Sequence, residues 1–464
     1  MKAKTDKKIV LFVTTLGAFV VPFMVSSINI ALPFIGKDFN MSAVSLNWAI
    51  LSFLLSMAVF ISPFGRLADI YGRKKLLIFG MTSCVMASIF CGISSNAWML
   101  IIFRILQGIS SAPITITVVS ILTSVYPSGE RGKVLGLNVA ATYTGLSSGP
   151  FLGGLLTQYF GWRSVFFFIV PIGMTVILLL LKIKQEWVGA KHEEFDYRGS
   201  IIYGLGLFGI VYGLSQIRSF LGPVLMLFGI LFIFIFSYYE NKVKSPILNL
   251  KLISSNRILI FSSLAALINY SATFAISYLL SLYLQYIKAF EPQQAGLVLV
   301  AQPLVQALFS PIAGKLSDRI EPRIVASIGM ILTAVGLAFF IFLTETTSII
   351  FIIVALLMVG LGFAFFSSPN TNAVMNSVDK KYFGVASGII GTARSVGQAF
   401  SMGITSLIML IYMGNVQINE EYYADFLGSV KVAFFVFTIL CVAGIFASLA
   451  RGKIDKKIGK NEIG

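Results

Sequence analysis

The residues best able to do chemistry in this chain are a few charged side chains set between long apolar runs. Asp69 and Arg73 lie four residues apart in the segment GRLADIYGRKK at positions 65–75. A carboxylate and a guanidinium at this spacing form a charge-assisted pair that can break and re-form. Gly65 and Gly72, on either side of Asp69, let backbones approach closely at a tight turn. This arrangement favours electrostatic gating rather than bond making.

A weaker copy of this segment lies late in the chain. GKLSDR at positions 314–319 repeats the pattern with Asp318 and Arg319, but EPR at 321–323 replaces the glycine and basic residues that end the first copy. A charged segment that recurs once in each half indicates a duplicated protein. We expect the first copy to be the effective one.

Two arginines lie inside apolar runs. A charged side chain near the middle of a bilayer costs at least about 2.5 to 3.5 kcal/mol, so Arg104 and Arg394 should face the protein interior. Neither side chain can lose its proton at a working pH, so neither can carry protons itself. For Arg394, a bond to helix carbonyls or to Gln398 is as good an explanation as contact with a substrate.

Composition places these residues in an all-α polytopic membrane protein. Hydrophobic residues make up 57% of the 464 positions, charged residues only 12%, and the mean hydropathy is +0.89. Windows of about 20 apolar residues are long enough to cross a bilayer. Fourteen such spans are predicted, numbered in chain order: 9–35, 44–64, 76–95, 98–124, 134–159, 164–182, 199–217, 220–239, 258–286, 295–313, 324–343, 348–374, 384–412 and 429–450.

The distribution of basic residues predicts the orientation. Most of the 35 Lys and Arg fall before span 1, after span 14 or after an even-numbered span. The positive-inside rule then places both termini in the cytoplasm, with the protein in the plasma membrane. The net charge of +16 is therefore explained by topology, and no nucleic acid partner is expected.

Several chemistries are excluded by motif. The phosphate-binding pattern G-x-x-x-x-G-K-[ST] does not occur, so this polypeptide is not an ATP-driven pump. Cys84, Cys91 and Cys441 lie in apolar spans without disulfide or zinc spacing. We expect no metal, no cofactor and no enzymatic activity.

The first charged segment resembles the motif G-x-L-A-D-x-x-G-R of the major facilitator superfamily, and other motifs are similar to its 14-helix drug:proton antiporter branch. These are NIALP at 29–33, RILQG at 104–108, GLSSGPFLGG at 145–154 and FDYRG at 195–199. The resemblance implies a monomer with a six-helix bundle over 1–182, a two-helix insertion with its linkers over 183–257, a second six-helix bundle over 258–450 and a basic tail over 451–464.

The same resemblance assigns the charged segments to a cytoplasmic gate. Asp69 and Arg73 would lock that side against the start of span 13, near Gly384, and release it as the protein changes state. The gate set is Gly65, Asp69, Gly72, Arg73, Asp318 and Arg319. Arg104 matches an arginine that the family associates with proton coupling.

Span 5 carries a stripe of small residues at intervals of four, Gly145, Gly149 and Gly153, with Gly154 beside it. Another helix can pack closely against such a stripe. Pro150 adds a local bend by removing a backbone hydrogen bond. We expect a hinge or a tight seam here, although ordinary small-residue packing would produce the same pattern.

The carboxylates all fall in loops or at interfaces. The branch that the chain resembles commonly carries an aspartate five residues before the Asn of N-x-A-L-P, and this chain has Met24 there. Two fixed positive charges without a buried acid predict a cavity that favours neutral, zwitterionic or anionic amphiphiles over permanent cations. If protons are used, the substrate or gate acids such as Asp69 would carry them.

Polar side chains within or near the spans are the candidates for the cavity lining, because polar groups in lipid face inward and need partners. Beside the two arginines and Gln398 they are Asn29, Gln107, Tyr143, Asn269, Tyr270, Gln302, Gln306, Asn370 and Asn372. For any one of them, a hydrogen bond between helices is the commoner role.

Three functions are compatible with this sequence. Export of small amphiphilic drugs or metabolites, coupled to protons, agrees best with the span 5 motif and the two-helix insertion. A facilitator or importer of a small metabolite is the alternative, because the span 1 acid is missing. A membrane sensor is the least favoured, because no loop is long enough to hold a signalling domain.

Overall fold

The computed structural model describes residues 7–190, 193–248, 250–378 and 383–452, and this part of the chain is a bundle of helices that run back and forth. The helices are α1 Lys7–Asp38, α2 Ala43–Tyr71, α3 Arg73–Gly92, α4 Ala97–Val125, α5 Ser128–Phe160, α6 Arg163–Phe167, α7 Ile169–Lys182, α8 Tyr197–Ser215, α9 Leu221–Glu240, α10 Leu250–Ser255, α11 Arg257–Thr273, α12 Ile276–Leu282, α13 Pro292–Leu299, α14 Ala301–Arg319, α15 Pro322–Phe340, α16 Ile349–Asn376, α17 Phe383–Tyr412 and α18 Tyr423–Ala450.

Three groups of helices are distinguished below. The N-terminal half is α1–α7, the hairpin is α8–α9, and the C-terminal half is α11–α18. Within the halves, α1 packs on α5, α2 on α4 and α15 on α16, while α2 and α17 pack across the two halves. The hairpin lies against both α2 and α17. The predicted tail lies almost entirely outside the described residues.

Twelve helical segments in the described residues are long and apolar enough to cross a membrane. The predicted count of fourteen is therefore not confirmed. Spans 5 and 7 do form helices, α5 and α8, but neither belongs to these twelve. In both helices glycine, serine and tyrosine take many of the positions that leucine and isoleucine fill elsewhere. This composition lowers their hydropathy.

Two predicted spans are interrupted. Span 9 becomes α11 and α12 followed by a π-helical turn at Tyr283–Ile287, and span 10 is divided at Val300 into α13 and α14. A π-helical turn shifts the register of the backbone hydrogen bonds and is often found at functional positions. Both interruptions lie in the part of the C-terminal half that meets α1 and α5.

The charged segment at 65–75 is not the loop that the sequence predicts. Helix α2 continues to Tyr71 and α3 begins at Arg73, so Gly72 alone forms the turn. Its φ of 117° lies in the region that favours glycine. In the second copy, Asp318 and Arg319 likewise end α14 instead of lying in a loop.

Candidate functional site

The Asp69 and Arg73 pair forms as the sequence predicts. Arg73 Nη2 and Nε donate to Asp69 Oδ1 at 2.7 and 3.0 Å. Arg73 Nη1 donates to the carbonyl of Ser120 at 2.8 Å and to the hydroxyl of Ser124, both on α4. The pair, which we call the latch, thus ties the turn between α2 and α3 to α4. We call this end of the molecule the latch end.

The linker after α7 completes the latch. The backbone N–H groups of Gly189 and Ala190 donate to the Asp69 carbonyl at 2.9 and 2.8 Å. Glu186 accepts from the backbone N–H groups of Lys74 and Lys75 at 2.8 and 3.2 Å. Glu186 therefore satisfies the first turn of α3. No local signal marks Glu186, because it lies more than 110 residues from the helix that it caps.

The predicted lock between Asp69 and the start of span 13 stays a prediction. Residues 379–382, which precede α17, lie outside the described part of the chain, as does the side-chain environment at 384. The hydrogen bonds that the structure describes for Asp69 are made with the N-terminal half and its linker. Gly65 packs against Ile116 of α4.

The second copy is held differently. Asp318 accepts a hydrogen bond from the Asn372 side chain at 2.9 Å, and Asn372 also donates to Ser317 at 2.8 Å. Arg323 pairs with Glu321, two residues away. The partner of Asp318 is therefore a neutral amide, whereas the partner of Asp69 in the first copy is an arginine.

Arg104 lies inside the N-terminal half rather than between the halves. It is 1% exposed, and its Nε donates to the Ala49 carbonyl at 2.9 Å. Its Nη1 donates to Gln107 at 2.5 Å, and its guanidinium lies 4.4 Å from the centre of the Phe53 ring. Nη2 has no partner among the described residues. A small void of about 10 Å³ adjoins the guanidinium and is also lined by Met24.

Met24 lines the same void as Arg104, whose Nη2 group has no described partner. Met24 is buried and accepts a hydrogen bond from Gln107 at 3.2 Å through its sulfur atom. An aspartate, which the resembled branch commonly has here, would line the same void as Arg104. At this position the chain offers Arg104 a thioether instead of a carboxylate.

Arg394 belongs to a different environment. Its guanidinium lies 5.0 Å from the centre of the Tyr270 ring, and Tyr270 packs edge-on against Phe363 at 5.2 Å. Tyr143, on α5 of the other half, is within electrostatic range of Tyr270. No described residue hydrogen bonds to Arg394, and its buried Nε has no partner. The pairing with Gln398 that the sequence left open is not formed.

Two helix faces converge on this cluster. On α5, residues at intervals of seven and eleven share one face, and these are Gly136, Tyr143 and Gly154. On α17, Gly391 and Arg394 share a face with Gln398. A side-chain carbon added at Gly136 or Gly391 would meet nothing within 4 Å in the described structure. Toward the latch end, both faces therefore border open space.

The opposite end of α5 is closed. A side-chain carbon added at Gly154 would stand 2.6 Å from the Pro292 carbonyl of α13. Gln158 donates to Glu291 at 2.6 Å and accepts from the Gln293 N–H at 3.2 Å. These contacts join α5 to the C-terminal half at the end away from the latch.

Helix α1 is joined to the C-terminal half in the same region. Ser281 donates to the Asn29 carbonyl at 2.6 Å, and Gln285 donates to the Ile30 carbonyl at 3.1 Å. Sequence analysis did not single out Ser281 or Gln285. Both lie in the interrupted span 9, and their side chains donate to backbone carbonyls of α1.

The small-residue stripe of α5 packs on α1. Added side-chain carbons would stand 2.4 Å from the Phe19 carbonyl at Gly145, 1.8 Å from Ser26 Oγ at Gly149 and 2.9 Å from the Ser27 carbonyl at Gly153. These distances are shorter than a carbon atom allows. Pro150 lies within α5, where its carbonyl approaches Gly296 of α13.

The remaining polar candidates divide into three groups. Asn370 and Gln107 make hydrogen bonds between helices, to Ser262 and to Ser88. Gln306 and Asn269 are buried, and the side-chain amide of Asn269 has no partner among the described residues. Gln302 and Gln398 are half-buried. Asn47 of α2 is a further buried, unpartnered amide that the sequence did not indicate.

No three His, Cys, Asp or Glu side chains in the described part of the chain gather in a way that could hold a metal ion. The geometry instead shows α5 packed on the C-terminal half at the end away from the latch and bordering open space toward the latch end, while Ser62 of α2 and Thr392 of α17 join the halves through their hydroxyls at 3.0 Å. The surfaces around Arg394 carry an arginine, two tyrosines and glycine faces. Such a site can bind an amphiphilic molecule without changing it chemically.

Comparison with known proteins gives one family. The family model described as Major Facilitator Superfamily matches residues 14–257 and 262–462. Riboflavin transporter RibZ of Clostridioides difficile (strain 630) is 26% identical over 98% of this chain and 99% of its own length. Multidrug resistance protein Stp of Mycobacterium tuberculosis (strain CDC 1551 / Oshkosh) is 27% identical over 87% of this chain and 76% of its own length.

Solved structures share the fold. A bacterial homolog of the human lysosomal transporter Spinster, in an inward-facing and occupied conformation, superposes with a TM-score of 0.69 at 16% identity and covers 97% of both chains. The nucleoside transporter NupG superposes with a TM-score of 0.64 at 13% identity, over 96% of this chain and 99% of its own.

Proposed function

Because this chain belongs to the major facilitator superfamily, and so is a multi-pass membrane transporter, we propose that it exports small amphiphilic molecules by alternating access, driven by the proton gradient. The observation that carries this proposal is the contrast between the two ends of α5. Its glycines at the latch end border open space, whereas Gly154 at the other end is packed against α13. One closed and one open end is the arrangement that alternating access requires.

The proposed topology has fourteen spans, with α5 and α8 added to the twelve most apolar segments. It divides into six helices, the inserted hairpin and six further helices. The basic residues place the latch end and both termini in the cytoplasm. In this orientation the described conformation is open to the cytoplasm and closed to the outside, ready to take up a molecule for export.

The proposed substrates are neutral, zwitterionic or anionic amphiphiles. Arg394 offers a positive charge without a carboxylate partner among the described residues, and Tyr143 and Tyr270 offer aromatic surface. Riboflavin, named for one relative that matches nearly the whole chain, is a suitable first compound. The relatives named for multidrug resistance support a broader set.

Proton coupling is proposed without the usual acid in span 1, where Met24 stands. The protons would be carried by the substrate or by acids at the latch end, such as Asp69. The name of the relative, a riboflavin transporter, does not give the direction of transport. The second candidate is therefore a facilitator or importer, which the missing acid in span 1 favours.

Purified protein in vesicles with an imposed pH gradient tests the proposal. Riboflavin, an anionic drug and a lipophilic cation would be supplied on the side of the latch end. We expect the first two to accumulate against their gradients, and the accumulation to collapse with a protonophore. Equilibration without accumulation would instead identify a facilitator, and robust accumulation of the cation would overturn the proposed substrate class.

A further inference from the structure

We propose that Asp196 and Glu240, at the base of the hairpin, form a proton-binding site in which the two carboxyl groups share one proton. Asp196 directly precedes α8, and Glu240 is the last residue of α9. They are only 8% and 3% exposed. Neither belongs to the latch or to the Arg394 cluster, so the inference goes beyond the proposed transport function.

One oxygen of each carboxyl group lies over Gly199. A side-chain carbon added at Gly199 would stand 2.3 Å from Asp196 Oδ2 and 2.9 Å from Glu240 Oε2. Both oxygens therefore lie over the same glycine, and both are buried without a partner in the described structure. A charged Glu240 buried over the same glycine as Asp196 would meet a like charge away from water, and a proton on Glu240 removes that repulsion.

The other oxygen of each group is already occupied. Asp196 Oδ1 accepts from the Gly199 N–H at 2.9 Å and from the Tyr239 hydroxyl at 3.2 Å. Glu240 Oε1 accepts from the Leu248 N–H at 2.7 Å. These bonds fix both side chains, so the free pair of oxygens is aimed rather than mobile. A proton bound by one of them is donated to the other as a hydrogen bond.

Nearby charges do not replace this proton. Arg66 of α2 is within electrostatic range of Glu240, but its Nη2 binds Glu193 of the linker. Arg198 of α8 lies near Tyr239. Neither arginine makes an ion pair with Asp196 or Glu240 in the described structure. We therefore expect the site to bind a proton instead of a basic side chain and to release that proton when the pH rises.

A proton held by the folded protein makes its stability depend on pH. If the folded protein holds the shared proton to a higher pH than the unfolded chain does, the folded state binds more protons and loses stability as the pH rises. Glu240→Gln should remove this loss. Its amide can still accept from Leu248 through oxygen, and its NH₂ group can donate to Asp196 Oδ2 in place of the proton. Asp196→Asn keeps the helix cap, because asparagine caps as well as aspartate does.

The experiment measures the apparent melting temperature of the full-length protein in nanodiscs across the range from about pH 5 to about pH 9. We expect the melting temperature of Glu240→Gln to match the wild type at the acidic end and to exceed it by about 2 °C at the basic end. Glu194→Gln is the matched control, because Glu194 is exposed and only two residues from Asp196. Its pH profile should follow the wild type.

Two results would overturn the inference. If Glu240→Gln lowers the melting temperature equally at every pH, Glu240 is an ionised partner of a cation such as Arg66. If the wild type and Glu240→Gln have parallel profiles, no shared proton exists. Should the variant fail to fold, infrared spectra of the wild type and Asp196→Asn decide, since the wild type must show a protonated carboxyl band at neutral pH that Asp196→Asn alters.

Discussion

The guanidinium of Arg394 lies 5.0 Å from the centre of the Tyr270 ring. The aromatic face stabilises the charge but leaves the N–H groups of the guanidinium without hydrogen-bond partners in the described structure. A cation held by a ring rather than by a carboxylate keeps its attraction for an incoming negative group. The fold thus supplies a positive charge that a substrate can use.

Replacement of Arg394 should therefore separate substrates by charge. We expect Arg394→Gln to reduce transport of an anionic drug by about tenfold, equivalent to about 1.4 kcal/mol. Transport of a neutral compound should change by less than about twofold, and Arg394→Lys should retain most anion transport because it keeps the charge. Uptake into vesicles measures all three. Equal losses for neutral and anionic compounds would contradict a role in substrate binding.

Loss of the latch carboxylate should impair transport but not folding. The pair is partly exposed, so it contributes at most about 1 kcal/mol to stability. The same energy shifts the balance between open and closed states by about fivefold. We expect Asp69→Asn to insert normally, to melt within a few degrees of the wild type and to transport several times more slowly. The control is Asp318→Asn, because Asp318 binds a neutral amide, and this variant should be nearly normal. Full activity of Asp69→Asn would exclude the gate.

The stripe on α5 should tolerate no side chain, whereas the other face of the same helix should accept one. Gly145→Ala would force a carbon to 2.4 Å from the Phe19 carbonyl. Overpacking of this kind costs about 1 to 3 kcal/mol. Gly136→Ala meets open space and should be neutral, or gain about 0.5 to 1 kcal/mol from helix propensity. Thermal melting in detergent compares the two, and equal stability would show that α5 can move away from α1.

Substitution of Met24 should restore an acid beside Arg104. Met24 and Arg104 line one small void, and Arg104 Nη2 has no described partner there. We expect Met24→Asp to fold as a buried ion pair and to give the protein measurable export of a lipophilic cation that depends on the pH gradient. Met24→Asn is the neutral control and should gain no cation export. Unchanged selectivity in Met24→Asp would show that the charge at this site does not decide which substrates are moved.

Sequence reasoning located the helices well because its signals are local. The length of each apolar run predicts where a span lies. The four-residue spacing of the glycines on span 5 predicts the face of α5 that packs against α1. The interruption of span 9 gave no such signal, because neither proline nor glycine occurs between Phe274 and Ile287. Its π-helical turn contacts α1 in the other half through Gln285, and a local pattern does not contain such a contact.

The site shows the same limit. Arg394 was recognised by its burial cost in a membrane, but its position over Tyr270 depends on the packing of α17 on α11. The same burial cost predicted that Arg104 faces the protein interior, and the structure places it within one half. In the sequence, Asp196 and Glu240 are two of the carboxylates that fall in loops or at interfaces. Their proximity depends on the antiparallel pairing of α8 and α9, which brings residues 44 positions apart to the same glycine.

The cap that Glu186 places on α3 has a consequence for how this chain can be divided. The first six spans end at Lys182, yet in the described part of the chain the N–H groups that open α3 and the carbonyl of Asp69 are satisfied by residues 186–190. During synthesis, the first bundle is therefore unfinished until this linker has left the ribosome. Two separately expressed fragments meant to reassemble should be split after Ala190, because a break at Lys182 would leave the start of α3 without its cap.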